Sequence, residues 1–281
     1  MTIVSQSDEL RSLLAARTRP RVLVPTMGAL HAGHLALIRH AKELAGPGGM
    51  VVVSIFVNPI QFDRAADLAA YPQPLEADLA ACRKAGVDVV FAPAAAAMYF
   101  ADRSVTVTES LLSRTLCGAT RPGHFDGVCT VVLKLFLASG CEVAVFGEKD
   151  FQQLAVIRRM VRDLNVPVAI VGHPTVREAD GLALSSRNVR LTPAQRADAP
   201  RIRQALLAAQ AAFTAGSRGA TELIETARQG LAQAALTRLD YLSLVDAESL
   251  QAVEWIERPA VLATAAFYGE VRLIDHVRLQ P

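Results

Sequence analysis

The stretch MVVVSIFV, Met50–Val57, constrains this chain more than any other. Every position but Ser54 is apolar. The run is too short to span a bilayer and lacks the alternation of a half-exposed strand. A strand of this kind is buried on both faces, as parallel strands joined by helices are. RVLV (Arg21–Val24), VDVVFA (Val87–Ala92), EVAVF (Glu142–Phe146) and VPVAIV (Val166–Val171) repeat the pattern. Between them lie helical patterns. Residues 7–17 form an amphipathic helix that Ser7 can cap, with Asp8 and Glu9 at its positive end. A second helix starts near Gly33, with Leu37, Ala41 and Leu44 on one face. Pro74 can open PLEADLAACRKAG, with Leu75, Leu79 and Cys82 inward. Residues 109–117 and 127–139 read as helices, as does DFQQLAVIRRMVRDLN. The alternation predicts an α/β class: a Rossmann-like, doubly wound parallel sheet. Ligands in such sheets bind outside the carboxyl ends of the strands, so the turns after Val24, Val57 and Phe146 share one rim.

The tail follows a different plan. Helical patterns cover 193–215 and 217–237, then come LDYLSLVDA, AVLATAAFYG and EVRLIDHVRL. The last two read as a hairpin about Tyr268–Glu270. Two domains are expected: 1–172, Rossmann-like, and 173–281, a smaller α+β C-terminal domain. A net charge of +2 and 5% aromatics argue against a nucleic-acid or membrane-surface partner. The N-terminus lacks a basic region followed by an apolar one, so a cytoplasmic protein is expected. The four cysteines form no C-x-x-C pair, which argues against a zinc ribbon and for reduced, buried thiols.

Chemistry concentrates in a few turns. PTMGALHAGH, Pro25–His34, places two imidazoles three apart where a strand hands over to a helix. Residues at i and i+3 share a helix face, and the unpaired N–H groups of a helix start favour anions such as phosphate. Gly33 lets a ligand approach closely. A plain pair of surface histidines at a cap is the competing reading. GEKDFQQL, Gly147–Leu154, puts Glu148, Lys149 and Asp150 on the same rim: Lys149 suits a phosphate, Asp150 a ribose hydroxyl or a helix cap. Gln152 and Gln153 suit a hydroxyl or carboxylate. DGLALSSRN, Asp180–Asn188, offers hydroxyls and a guanidinium that can close over phosphates, or a polar linker. In RPGHFDG, Arg121 or His124 can face an acidic substrate; in SIFVNPIQF, Asn58-Pro59 turns and leaves Gln61 and Phe62 toward a pocket.

In this order, PTMGALHAGH, VVSIFVNPIQF, the tyrosine of AAYPQPLEAD, RPGHFDGV, FGEKDFQQL and DGLALSSRN resemble the pantoate–β-alanine ligase family over nearly the whole chain. The first and last also resemble the paired HIGH and KMSKS signatures of the wider nucleotidyltransferase superfamily. The resemblance implies ATP-dependent condensation of (R)-pantoate with β-alanine through pantoyl adenylate, with Mg²⁺ and release of AMP and pyrophosphate. A carboxylate is a poor acyl donor; a mixed anhydride with AMP supplies the leaving group. It implies His34 as a catalytic proton donor, with His31 sharing phosphate contacts. It places the turn of Pro25, Thr26, Met27, Gly28, Ala29, Leu30, His31, Ala32, Gly33 and His34 on the nucleotide. Gly147, Glu148, Lys149 and Asp150 would hold the nucleotide too, Lys149 near its phosphates. Val176, Leu184, Ser185, Ser186 and Arg187 would close over it. Gln61 would contact pantoate and β-alanine, and Gln153 pantoate; Asn58, Tyr71 and Arg121 match pocket positions, and Asp78 is the candidate metal ligand. A homodimer is implied. Asp126 stands where the family usually has Arg, Leu184 where some members have Met, and His276 where Asn is frequent. Two rival readings remain: a nucleotidyltransferase acting on a phosphorylated substrate, which has no need of the two glutamines, and a non-catalytic nucleotide-binding protein, which forms no AMP.

Overall fold

The computed structural model describes residues 1–15 and 18–281. The last two positions of the expected 7–17 helix lie outside the described residues; the helix itself runs Ser7–Ala15. The chain divides into two compact units: 1–109 with 121–148 and 153–174, and 110–120 with 149–152 and 175–281.

The first unit is built on a six-stranded sheet of order β1-β4-β3-β2-β5-β6. The strands are β1 (Thr2–Val4), β2 (Arg21–Thr26), β3 (Met50–Ile55), β4 (Val89–Phe91), β5 (Val143–Gly147) and β6 (Ala169–His173), and every pairing is parallel. All six residues of β3 are buried, as its unbroken apolar run requires. Side chains alternate between faces. Val22, Val24, Val51, Val53 and Val145 pack in one cluster with Leu37, Ile38 and Ala41 of helix Ala32–Ala45. On the opposite face Phe146 meets Phe136 of helix His124–Ser139 edge-on, with ring centroids 6.4 Å apart. Helices therefore cover both faces, and the Rossmann-like reading holds. Because the strands are parallel, the ends of β2, β3 and β5 share one rim.

In the second unit, β7 (Arg238–Asp246), β8 (Ala260–Tyr268) and β9 (Val271–Leu279) form an antiparallel sheet. The β8–β9 hairpin closes with Tyr268 opposite Val271, and Gly269 supplies the turn's positive φ of 58°. Leu206, Leu223, Leu262 and Tyr268 anchor the core between this sheet and helices Arg201–Thr214 and Ala220–Ala232. At Gly230 the two helices approach so closely that a Cβ would stand 2.8 Å from the Ala205 Cβ. All four cysteines are free and buried.

Several expected elements differ from the structure. The 193–215 helix is two helices, Pro193–Asp198 and Arg201–Thr214, because Pro200 cannot donate the next backbone bond. The strand expected at 166–171 starts only at Ala169, since Pro167 has no N–H for a ladder. Residues 109–117 form no single helix: a 3-10 turn, Leu112–Arg114, precedes helix Leu116–Thr120, and Leu116 takes a positive φ of 50° that a continuous helix forbids. The helix expected at 127 starts at His124, after Gly123 with φ 76°. Leu44 and Leu75 are 37% and 42% exposed. Ile38 and Ala45 complete the buried face of the one helix, and Asp78 joins Leu79 and Cys82 in the other. Among the described residues no helix is long and apolar enough to cross a membrane.

Candidate active site

The turn after β2 is fixed from several sides. The Thr26 hydroxyl donates to the Ser54 carbonyl on the neighbouring strand at 2.7 Å and accepts the Gly28 N–H at 3.2 Å. The backbone then takes two successive left-handed residues, Gly28 (φ 80°) and Ala29 (φ 51°). The buried Asp78 carboxylate accepts the N–H groups of Ala29 and Leu30 at 2.8 and 2.7 Å, one on each oxygen. A Cβ on Gly28 would stand 2.8 Å from Asp78 Oδ2, so both φ and space require glycine there.

The two histidines cap the helix they begin. His31 is the N-cap, and its Nδ1 accepts the Gly33 N–H at 3.1 Å. His34 Nδ1 reaches back to accept the His31 N–H at 3.3 Å. This is a capping box with imidazoles where Ser and Glu usually stand. The rings lie 4.1 Å apart between centroids, tilted by 32°. A nitrogen that accepts carries a lone pair, so in the neutral rings the proton resides on Nε2. Orientation and tautomer are thus set by the helix start.

In the turn after β3 the side chains of Asn58 and Gln61 are held by neutral groups. Asn58 is buried; its Nδ2 donates to the Gly127 carbonyl at 3.0 Å and to Gln61 Oε1 at 2.9 Å, while its Oδ1 accepts the Tyr99 hydroxyl at 2.7 Å. Gln61 Nε2 approaches the Met27 sulfur at 3.1 Å, which links this turn to the histidine turn. The Gln61 carbonyl accepts from His124 Nδ1 at 2.7 Å and from Arg121 at 3.2 Å. His124 therefore accepts at Nε2, 3.1 Å from Arg121 Nη1. Arg121 also pairs with Asp63 at 2.8 Å. Burial works against ionising Asp63, but the Arg121 hydrogen bond and charge outweigh it and hold the carboxyl below its usual range. At Gly127 the helix comes so near that a Cβ would stand 2.5 Å from the Ile60 carbonyl oxygen. Tyr71 is buried with its ring edge-on to Phe62, centroids 5.7 Å apart.

The remaining candidates divide between the units. Gly147 ends β5, and the Glu148 side chain fills the space beside Gly172; Gln153 lies on helix Phe151–Asp163 in the same unit. In the second unit, Lys149 and Asp150 stand 3.6 Å apart in a 3-10 turn. There the Leu184 N–H bonds the Val176 carbonyl at 3.0 Å, closing a small loop over an Arg177–Ala183 bridge. Ser185 Oγ accepts the Arg187 N–H at 3.2 Å, and the Asn188 amide donates to the Ala183 carbonyl at 3.1 Å. Arg177 grips the buried Asp275 through two bonds of 2.7 and 2.8 Å. The SSR turn of Ser185, Ser186 and Arg187 is thus prefolded.

The structure gives Asp78, Gln152 and Asp126 surroundings that the sequence does not show. Asp78 commits both oxygens to the backbone of the histidine turn, and among the described residues no three His, Cys, Asp or Glu side chains gather as a metal cage. The two N–H contacts position that turn. Gln152 is buried and structural: Oε1 accepts the Cys117 N–H at 2.9 Å, and Nε2 donates to the Leu112 and Thr115 carbonyls at 2.8 and 2.7 Å. Asp126 lies in the first turn of its helix, where the helix dipole favours a negative charge. Tyr99 escapes sequence reading because it follows an alanine run with no polar pattern beside it.

Fold and site together define a Rossmann-like α/β protein with a polar site along the carboxyl rim of its parallel sheet. The pantoate-β-alanine ligase family model matches residues 2–278. The pantothenate synthetase of Akkermansia muciniphila is 53% identical, covering 99% of this chain and 100% of the relative. That of Solidesulfovibrio magneticus is 52% identical, over 98% and 97%. The crystal structure of the pantothenate synthetase from Thermus thermophilus superposes with a TM-score of 0.94 at 45% identity, covering all of both chains. The Francisella tularensis pantoate-β-alanine ligase, complexed with β-γ ATP and β-alanine, gives 0.79 at 32% identity, over 99% and 97%. The chain belongs to the pantoate–β-alanine ligase family and is an enzyme of that family.

Proposed function

We propose that this enzyme joins (R)-pantoate to β-alanine with consumption of ATP, through a pantoyl-adenylate intermediate, with release of pyrophosphate and AMP. The observation that carries the reading is the paired imidazole cap of helix Ala32–Ala45, whose accepting Nδ1 atoms leave the ring protons on Nε2. Family membership and an ATP- and β-alanine-bound relative support it. In the first step the pantoate carboxylate attacks the α-phosphorus and the bond to pyrophosphate breaks. Charge grows on the phosphoryl oxygens, where preorganised donors act most strongly. His34 Nε2–H is the donor assigned to that charge, and His31 shares the phosphates. Lys149 adds a positive charge near them. In the second step the amine of β-alanine attacks the acyl carbon, its proton leaves, and AMP departs. No covalent enzyme nucleophile is needed.

Gln61, Gln153, Asn58, Tyr71 and Arg121 would line the pocket for the acid. Residues 1–172 would bind nucleotide and pantoate, and residues 173–281 would act as a lid, with Val176 and Leu184–Arg187 closing over the nucleotide. Magnesium suits this site as a partner of the phosphates, since it keeps waters and needs few protein ligands. When bound it would neutralise phosphate charge; Asp78, whose oxygens each accept one backbone N–H and keep a further lone pair, is the carboxylate proposed beside it. A homodimer and a cytoplasmic location belong to the same reading. The test is AMP release measured with each substrate omitted in turn. AMP that requires both pantoate and β-alanine supports the proposal; AMP formed with either alone or with neither refutes it.

A further inference from the structure

We propose that Tyr99 is a positioning residue that acts through Asn58 to fix the polarity of the Gln61 amide, so that Gln61 offers N–H donors, and hence selects an acceptor oxygen of the acid substrate. The inference rests on the pocket role proposed for Gln61. An amide side chain can present either end, and the direction it takes decides what it recognises. Here the direction follows from a backbone carbonyl. The Gly127 oxygen can only accept, so the Asn58 end 3.0 Å from it is the NH₂. The other end of Asn58 is then the oxygen, and it needs a donor, which the Tyr99 hydroxyl supplies at 2.7 Å. The second Asn58 hydrogen goes to Gln61 at 2.9 Å, so that atom of Gln61 must be its oxygen. Gln61 Nε2 consequently faces the other way, with the Met27 sulfur at 3.1 Å, a weak acceptor. Donors in that position favour a hydroxyl or carboxylate oxygen and disfavour an ammonium group.

Tyr99 is suited to the task. Its ring is held near Phe56 at the end of β3, with centroids 6.1 Å apart, and the Arg103 and Lys134 cations sit 5.4 and 5.8 Å from its centre. Burial pushes the phenol well above its ordinary range, despite the opposing charge of Arg103, so the hydroxyl stays a donor. Without that hydroxyl the Asn58 oxygen is buried and unsatisfied, and the amide pair loses one of the two contacts that favour one orientation, the other being that with the Gly127 carbonyl.

The experiment compares the parent, Tyr99→Phe and Gln61→Glu, varying pantoate and ATP separately. Tyr99→Phe keeps the ring and is expected to raise the KM for pantoate about tenfold, with the KM for ATP within about twofold. Gln61→Glu replaces the donors with an anionic acceptor and is expected to raise the pantoate KM further, about a hundredfold. A pantoate KM unchanged in Tyr99→Phe, an equal rise for ATP, or a Gln61→Glu enzyme that binds pantoate like the parent would overturn the inference. Hydrogen exchange of the Asn58 and Gln61 side-chain amides, followed by NMR, reads the relay without catalysis. Faster exchange in Tyr99→Phe supports it, and unchanged exchange rejects it. A parent enzyme with no pantoate-dependent AMP release would refute the proposed function alone.

Discussion

The turn after β2 and the turn after β3 leave neighbouring strands of one sheet, yet they are built from different materials. The first is held by a carboxylate on two N–H groups and by imidazoles that cap their own helix. The second is held by a phenol, two neutral amides and a backbone carbonyl. The first arrangement turns its acceptors to the backbone and keeps the imidazole protons on Nε2, as suits an anion that gains charge during reaction. The second fixes the direction of an amide through uncharged side-chain partners, as suits recognition of a polar but unchanging group. The contrast separates rate from selection.

If that separation is right, the largest effect belongs to the first turn. His34→Ala should lower kcat by about 10²–10³-fold, the loss expected for one preorganised donor, with the KM for pantoate little changed. A steady-state comparison that finds the loss in KM instead would erase the distinction. Next comes Asp78→Ala, which leaves two part-buried N–H groups without their acceptor and should cost about 3 kcal/mol in denaturant unfolding. Asp78→Asn retains one acceptor and should cost less; a magnesium activation curve unchanged in this variant would remove Asp78 from metal binding. Gly127→Ala tests the second turn by crowding: about 1–3 kcal/mol of destabilisation is expected, with Gln61 displaced and the pantoate KM raised. The smallest effect is that of Asp63→Asn, which removes a half-buried pair with Arg121 and should cost about 1 kcal/mol at neutral pH. Asp63 has a depressed pKa in the folded protein, so its contribution is present above about pH 4 and fades as pH falls through the folded value. Melting curves of parent and variant should converge in acid; a gap that persists there would assign the effect to packing.

What can be read from the sequence follows the range of the interactions. The β2 and β3 strands are legible because burial on both faces writes itself as a continuous apolar run. The histidine turn is legible because its partners are three residues apart. The Asp78 clasp is not, since it joins residues 48 and 49 positions apart, and an acid in a helix's first turn has an ordinary explanation without it. The Asn58 contact with Gly127, 69 positions apart, leaves no pattern either. Pro200 and Pro167 are visible, but the apolar periodicity around them masks the missing N–H, and in the structure the missing N–H takes precedence.

The self-capped helix start has an implication for transplantation. From His31 onward, the turn carries its own fastenings, so grafting His31–His34 onto another helix start should bring ring direction along with it. The stretch from Thr26 to Leu30 does not travel so easily. It relies on a serine carbonyl from the adjoining strand and a carboxylate from a distant helix, and a host scaffold lacking either would receive the imidazoles but not the path that delivers them.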